Sequence, residues 1–152
     1  MIIHDVISRA RDLLHDTTTT YRWSENTMFA WLNDGIRELV NARPDARFSD
    51  DGEYVSPGEI ILPDAWDNEI AYTPGLRVKP TAGDIYIYKV RLPGTSGGTE
   101  PTWIATEDTD TTDGTVKWRV ESLPVPTQYL GALANYLCYR AYSRDSSDTS
   151  NA

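Results

Sequence analysis

The residue types able to do chemistry are few and poorly placed. The only histidines are His4 and His15. Eleven positions separate them, which on a helix puts them on one face but about three turns apart, too far to share a metal ion. Ser8 lies one turn from His4, but no nucleophile elbow accompanies it. Asp108, Asp110 and Asp113, followed by Gly114, superficially suggest a calcium loop; the spacing departs from the EF-hand pattern and the closing Glu is missing. The glycines of 94–98 have neither the lysine nor the following helix of a phosphate-cradling loop. Cys138 is the sole cysteine and falls in an apolar helical stripe, so it reads as a small core hydrophobe. These residues predict a protein that is not an enzyme and needs no metal or cofactor.

The strongest cluster is aromatic: Trp66, Tyr72, Tyr86, Tyr88, Trp103 and Trp118. It has two readings. One is a face that stacks sugars or docks a protein. The other, which the composition favours, is the core of a small unit that has no disulfide or metal to hold it.

Three helices flank these aromatics. The first spans about Ile2 to Leu14, with Ile3, Val6, Ile7, Ala10, Leu13 and Leu14 on one stripe. The threonines of 17–20 end it. The second starts after an N-cap at Ser24, carries Met28, Phe29, Leu32, Ile36, Leu39 and Val40, and stops near Arg43 before Pro44. Gly35 inside it costs about 1 kcal/mol relative to Ala, which fits either close approach of another backbone or a weak spot on an exposed face. The third runs from about Thr127 to Tyr142. Its Tyr129, Tyr136, Tyr139 and Tyr142 do not all fit one stripe, which suggests burial on more than one side, as at a subunit contact; the other reading is amphipathic tyrosines at the rim of a monomer core. The polar residues beyond Arg144 read as a flexible tail.

The middle of the chain is richer in Pro, Gly and Thr. Residues 60–62, 76–79, 85–90 and 115–120 are its strand candidates, with turns at 94–98 and at Asp113-Gly114. The fold class is therefore α+β: a small bundle of three main helices with an inserted small antiparallel β domain. The frame takes residues 1–47 and 123–152, an acidic connecting segment 48–63, and the β module 64–122.

Net charge is −9, and the acidity is central. Residues 48–63 hold four acids and no base; 64–121 hold ten acids and six bases. No run of Lys and Arg is present of the kind that grips duplex nucleic acid. No apolar run reaches the roughly 18 residues of a membrane span. The charged, amphipathic N-terminus does not look like a signal peptide, so the protein is expected in the cytoplasm when made.

Two resemblances rest on particular residues. The stretch from Asp5 to Asp16, then Tyr21-Arg-Trp-Ser24, Trp31 to Val40, Arg43-Pro-Asp45 and Tyr136 to Asp145 resembles a head–tail adaptor (connector) protein of tailed bacteriophages. The middle resembles a small β module found in phage virion proteins. It is carried by Trp66, Tyr72, Gly75, Val78, Pro80, Tyr86, Gly94-Thr-Ser-Gly97, Glu100-Pro-Thr-Trp103 and Asp113-Gly-Thr-Val-Lys-Trp118. Its first half is also similar to chitin-type carbohydrate-binding modules.

The adaptor resemblance implies a structural virion protein in the neck between capsid and tail. It implies a closed ring, commonly of about twelve copies, below the portal protein. Such a ring seats a tail, stopper or nozzle protein and passes genomic DNA without sequence-specific binding. Tyr129, Tyr136, Tyr139, Arg140, Tyr142 and Arg144 are then the expected subunit or portal interface, and Asp50, Asp51 and Glu53 the expected channel-facing acids. Family members often continue past the third helix, so the portal-docking element here is expected to be short, or to be the polar tail folding on binding. The alternative is a carbohydrate- or host-surface-binding module displayed on the virion, with Trp66, Tyr72, Tyr86, Trp103 and Trp118 as its aromatic cluster.

Overall fold

Three amphipathic segments become helices, as their 3.6-residue stripes require. The computed structural model describes residues 1–18, 20–48, 52, 54, 60–83 and 85–147, the side chains of 146 and 147 excepted. Asp50, Asp51 and Glu53 lie outside the described residues. The chain forms two compact units. One is helical and comprises Met1, Asp5–Ile61 and Pro124–Ala152; the other comprises Ile2–His4 and Leu62–Leu123. The class is α+β, with three α-helices and antiparallel sheets among the described residues.

In the helical unit, α1 (Ile3–Leu13) buries Val6, Ile7 and Ala10. It ends through His15 in the left-handed region (φ 53°), with the Asp16 N–H returning to the Arg11 carbonyl at 2.9 Å. Leu13, expected on the apolar stripe, is instead exposed at this end of the helix.

Helix α2 (Glu25–Ala42) is capped by Ser24, whose Oγ accepts the Thr27 N–H at 3.2 Å. Met28, Phe29, Leu32, Ile36 and Val40 are buried along it. Pro44 turns the chain into a short 3-10 helix, Pro44–Arg47.

A 3-10 turn, Thr127–Tyr129, leads into α3 (Leu130–Ser147), which packs on α2. Leu133, Ala134, Leu137 and Ala141 are its buried face. The helix runs further than the sequence suggests, past Tyr142 and Arg144. Asp145, in its last turn, takes a 2.8 Å ion pair from Arg22, a long-range contact that local propensity does not reveal. No helix among the described residues is long and apolar enough to cross a membrane.

Among the described residues the β unit has six short strands: β1 (Ala71–Tyr72), β2 (Arg77–Val78), β3 (Tyr88–Leu92), β4 (Gly94–Thr95), β5 (Asp110–Asp113) and β6 (Val116–Val120). β1 pairs with β4, and the larger sheet has the order β2-β3-β6-β5, all antiparallel. Along β3 and β6, Tyr88, Val90, Val116, Trp118 and Val120 are buried while Lys89 and Lys117 are exposed, the period-2 alternation of a half-buried sheet.

Two strand expectations change. Residues 60–62 form no strand; the Ile60 backbone is held instead by the Asn33 side chain, which donates to its carbonyl at 2.8 Å and accepts its N–H at 2.9 Å. Strand β3 begins only at Tyr88, and a bulge between Val90 and Leu92 carries it on to Leu92. Ile2–His4, placed in the frame by sequence, belong to the β unit: Ile2 bridges Ser122 and sits in the β core, and His4 stacks on Tyr86 with centroids 4.4 Å apart.

Candidate functional site

The tyrosine-rich helix α3 divides its expected interface residues into two groups. Tyr129, Tyr136 and Arg140 bond within the helical unit. The Tyr129 hydroxyl donates to Asp45 at 2.8 Å, and Asp45 takes two 3.0 Å bonds from Arg43 across Pro44. The Arg43 hydrogen bonds, followed by that from Tyr129, hold the Asp45 carboxyl down at about 2; the same bond to Asp45 pushes the Tyr129 hydroxyl up. The Arg43-Pro-Asp45 motif therefore acts locally, tying the end of α2 to the start of α3.

Tyr136 donates to Glu38 at 2.9 Å and accepts from Arg140 at 3.1 Å. Arg140 also reaches Asp34 at 3.2 Å. Sequence reasoning offers Arg140 to an acid of a neighbouring subunit or of the portal; the structure pairs it with Asp34 of its own chain. Burial pushes the Tyr136 hydroxyl up, and the Tyr136 bond raises the already high Arg140.

The second group points outward. Tyr139 and Tyr142 are 64% and 62% exposed, although such large aromatic surfaces gain most by burial. The Tyr139 ring sits tilted beside Tyr136, centroids 6.3 Å apart. Arg144 is exposed and lies 5.9 Å from the Trp23 ring centroid.

A second cluster in this unit escaped sequence reasoning. Arg11 and Asp16 form a buried ion pair at 2.6 Å. Arg11 also donates to the Trp23 carbonyl at 3.1 Å and lies 3.6 Å over the Tyr21 ring, while Asp16 accepts the Arg22 N–H at 2.8 Å. The stretch holding Arg11, Asp16 and Tyr21-Arg-Trp is thus a single polar node under the loop. A charge pair within an amphipathic helix end looks like solvated surface in a sequence, and only the long-range fold shows it buried. Cys138 is buried as expected of a core residue; desolvation pushes its thiol up, and Sγ lies 3.7 Å from the Ala10 carbonyl.

In the β unit the aromatic residues do converge. Trp118 is fully buried, Tyr72 packs edge-on against it at 4.7 Å, and Trp103 stacks on the buried Tyr88 at 4.4 Å. Trp66, Tyr86 and Trp103 are partly buried against this core. The indole N–H groups are committed too. Trp66 Nε1 and Trp118 Nε1 both donate to Asp113 Oδ2, at 2.8 and 3.0 Å, and the Gly97 N–H donates to Asp113 Oδ1 at 2.7 Å. Trp103 Nε1 donates to Glu100 at 2.8 Å; Glu100 also accepts from the Thr81 backbone and hydroxyl. Burial raises the Glu100 carboxyl, but the bonds from Thr81 and Trp103 outweigh it and the net shift is downward.

Asp113, which the sequence shows only as a member of a superficial calcium-loop pattern, is 3% exposed and joins three parts of the unit. Asp110 and Asp108, its companions in the suspected calcium loop, pair with Arg119 at 2.8 and 3.4 Å. The signature glycines follow from the same node. Gly114 sits at φ +57°, and a Cβ there would collide with the Thr95 carbonyl, so the turn at 113–116 closes onto 94–97 only without a side chain.

No protein-family model matches the chain, and neither a curated protein nor a solved structure matches it.

Proposed function

We propose that the chain is a structural protein of a tailed-phage virion, a neck adaptor that forms a ring below the portal, bridges it to the tail and surrounds the DNA channel. The reading rests on the resemblance of the helical segments to phage adaptors. The observation that carries it is the pair of exposed tyrosines, Tyr139 and Tyr142, on a helix whose other polar aromatics are bonded within the unit. Tyrosines with large apolar area left in solvent suit a subunit contact. The role is mechanical: lateral contacts between copies close the ring. The acids Asp50, Asp51 and Glu53 are assigned to the channel on charge alone, where like charge lets DNA slide without adhering. Variants reversing those charges that eject DNA normally would remove that assignment.

The burial and bonding of Trp66, Tyr72, Trp103 and Trp118 support a core role over a sugar-stacking platform. Native mass spectrometry of the chain, with and without portal, tests the main reading. A closed ring or a portal complex is expected, and Tyr139→Ala with Tyr142→Ala should weaken it while leaving the circular dichroism unchanged. A strictly monomeric chain that never binds portal would overturn the reading.

A further inference from the structure

The β unit segregates its charge in a way the sequence hides. The six bases of residues 64–121 fall in three pairs two positions apart, Arg77 with Lys79, Lys89 with Arg91 and Lys117 with Arg119, and strand pairing gathers five of them from three separate strands. Arg77 on β2 pairs in register with Lys89 on β3, and Lys89 with Arg119 on β6. Lys117 on β6 is opposite Leu92, next to Arg91 in the bulge. Because β3 and β6 alternate, the inward positions are apolar and the outward ones basic apart from the exposed Leu92. A shallow depression of about 430 Å³ is lined by Lys89, Arg91, Arg119 and Glu121, among others.

Neutralisation of this face is uneven. Glu121 pairs with Arg77 through two 2.6 Å bonds, and Asp110 with Asp108 engages Arg119. Lys89, Arg91 and Lys117 are exposed, and among the described residues no carboxylate pairs with them. Three uncompensated cations thus sit side by side on a protein whose net charge is −9.

We infer that this face of the β2-β3-β6-β5 sheet is a docking surface for a short acidic polypeptide segment of a partner protein. Charge complementarity names the chemistry. Size decides against a long polyanion: Glu121 and Asp110 with Asp108 bound the strip, so an extended phosphate backbone would run over carboxylates at either side. A short run of Asp or Glu fits between them. Exposed pairs are individually weak, so the contact is transient and strongly salt-dependent.

The test uses the full chain and a fluorescein-labelled decapeptide of alternating Glu and Ser, followed by anisotropy at an ionic strength of about 0.01 M. Saturable binding is expected, together with amide shifts confined to β3 and β6 in the peptide-titrated wild-type protein. Lys89→Glu with Lys117→Glu should weaken binding by at least about tenfold, and Arg9→Glu, an exposed charge of α1, should not. No saturable binding, an equal loss from Arg9→Glu, or shifts outside β3 and β6 would overturn the inference. So would duplex DNA of about 15 base pairs binding through the same residues more tightly than the peptide, which would make the face a phosphate-binding one.

Discussion

The ring of Tyr136 on α3 occupies the space a side chain at Gly35 on α2 would fill: a Cβ at position 35 would come within 2.8 Å of Tyr136 Cδ1. The glycine is what allows α3 to lay its tyrosine close against α2 and send the hydroxyl on to Glu38. The helix cost of Gly35 left two readings, close approach of another backbone or a weak spot on an exposed face; what comes close is an aromatic ring.

Gly35→Ala should therefore destabilise the protein although it improves helix propensity. The gain of about 1 kcal/mol is opposed by an overpacking cost of about 1–3 kcal/mol. In a Tyr136→Ala background the same substitution should become stabilising by about 1 kcal/mol. Urea denaturation of the four proteins checks the sign change.

Asp113→Ala should be among the most damaging changes in the β unit. It leaves two indole N–H groups and the Gly97 N–H without their acceptor, a loss of about 3–5 kcal/mol. Denaturation followed by tryptophan fluorescence measures it, and a wild-type midpoint would show that the node is dispensable.

Tyr88→Phe should be neutral, or stabilising by about 1 kcal/mol, because the buried hydroxyl finds no partner among the described residues. Burial, and then the neighbouring Tyr86, push Tyr88 up to about 12. A folded value above the ordinary 10.0 means the native state favours the protonated phenol. Stability from this group is complete below pH 10 and is lost as pH rises toward 12. The wild type should lose β-unit structure through that window, and the Phe variant should resist it, as near-ultraviolet circular dichroism can follow.

The Asp45 carboxyl should titrate near 2, against 3.8 for a free side chain. Its value is depressed, so its contribution is present above about pH 4 and falls away as acid protonates it toward pH 2. Carbon-detected NMR titration reads it directly. Arg43→Ala should move the midpoint up more than Tyr129→Phe does, since the Arg43 bonds are the larger cause.

Much of the scaffold was legible in the sequence because it is local. Helical stripes, the Ser24 cap, the Pro44 stop and the strand alternation at 116–120 all follow from the residues near them in the chain. The site was legible only as a set of aromatic and charged residues. Sequence could say that α3 is rich in tyrosine and that the β module is rich in tryptophan. It could not say that Tyr139 and Tyr142 remain outside while Tyr136 is bound over Gly35, because that depends on the rotation of α3 against α2. Nor could it separate Asp113 from Asp108 and Asp110: the three share a chemical type and lie close in the chain, and only the fold brings two indoles and the Gly97 amide to one of them. Composition by itself determined the net acidity and the scarcity of catalytic groups. Local alternation puts Lys117 and Arg119 on one face of their strand; tertiary pairing alone decided that Lys89 and Arg77 of other strands join them, because strand register, not sequence distance, makes them neighbours.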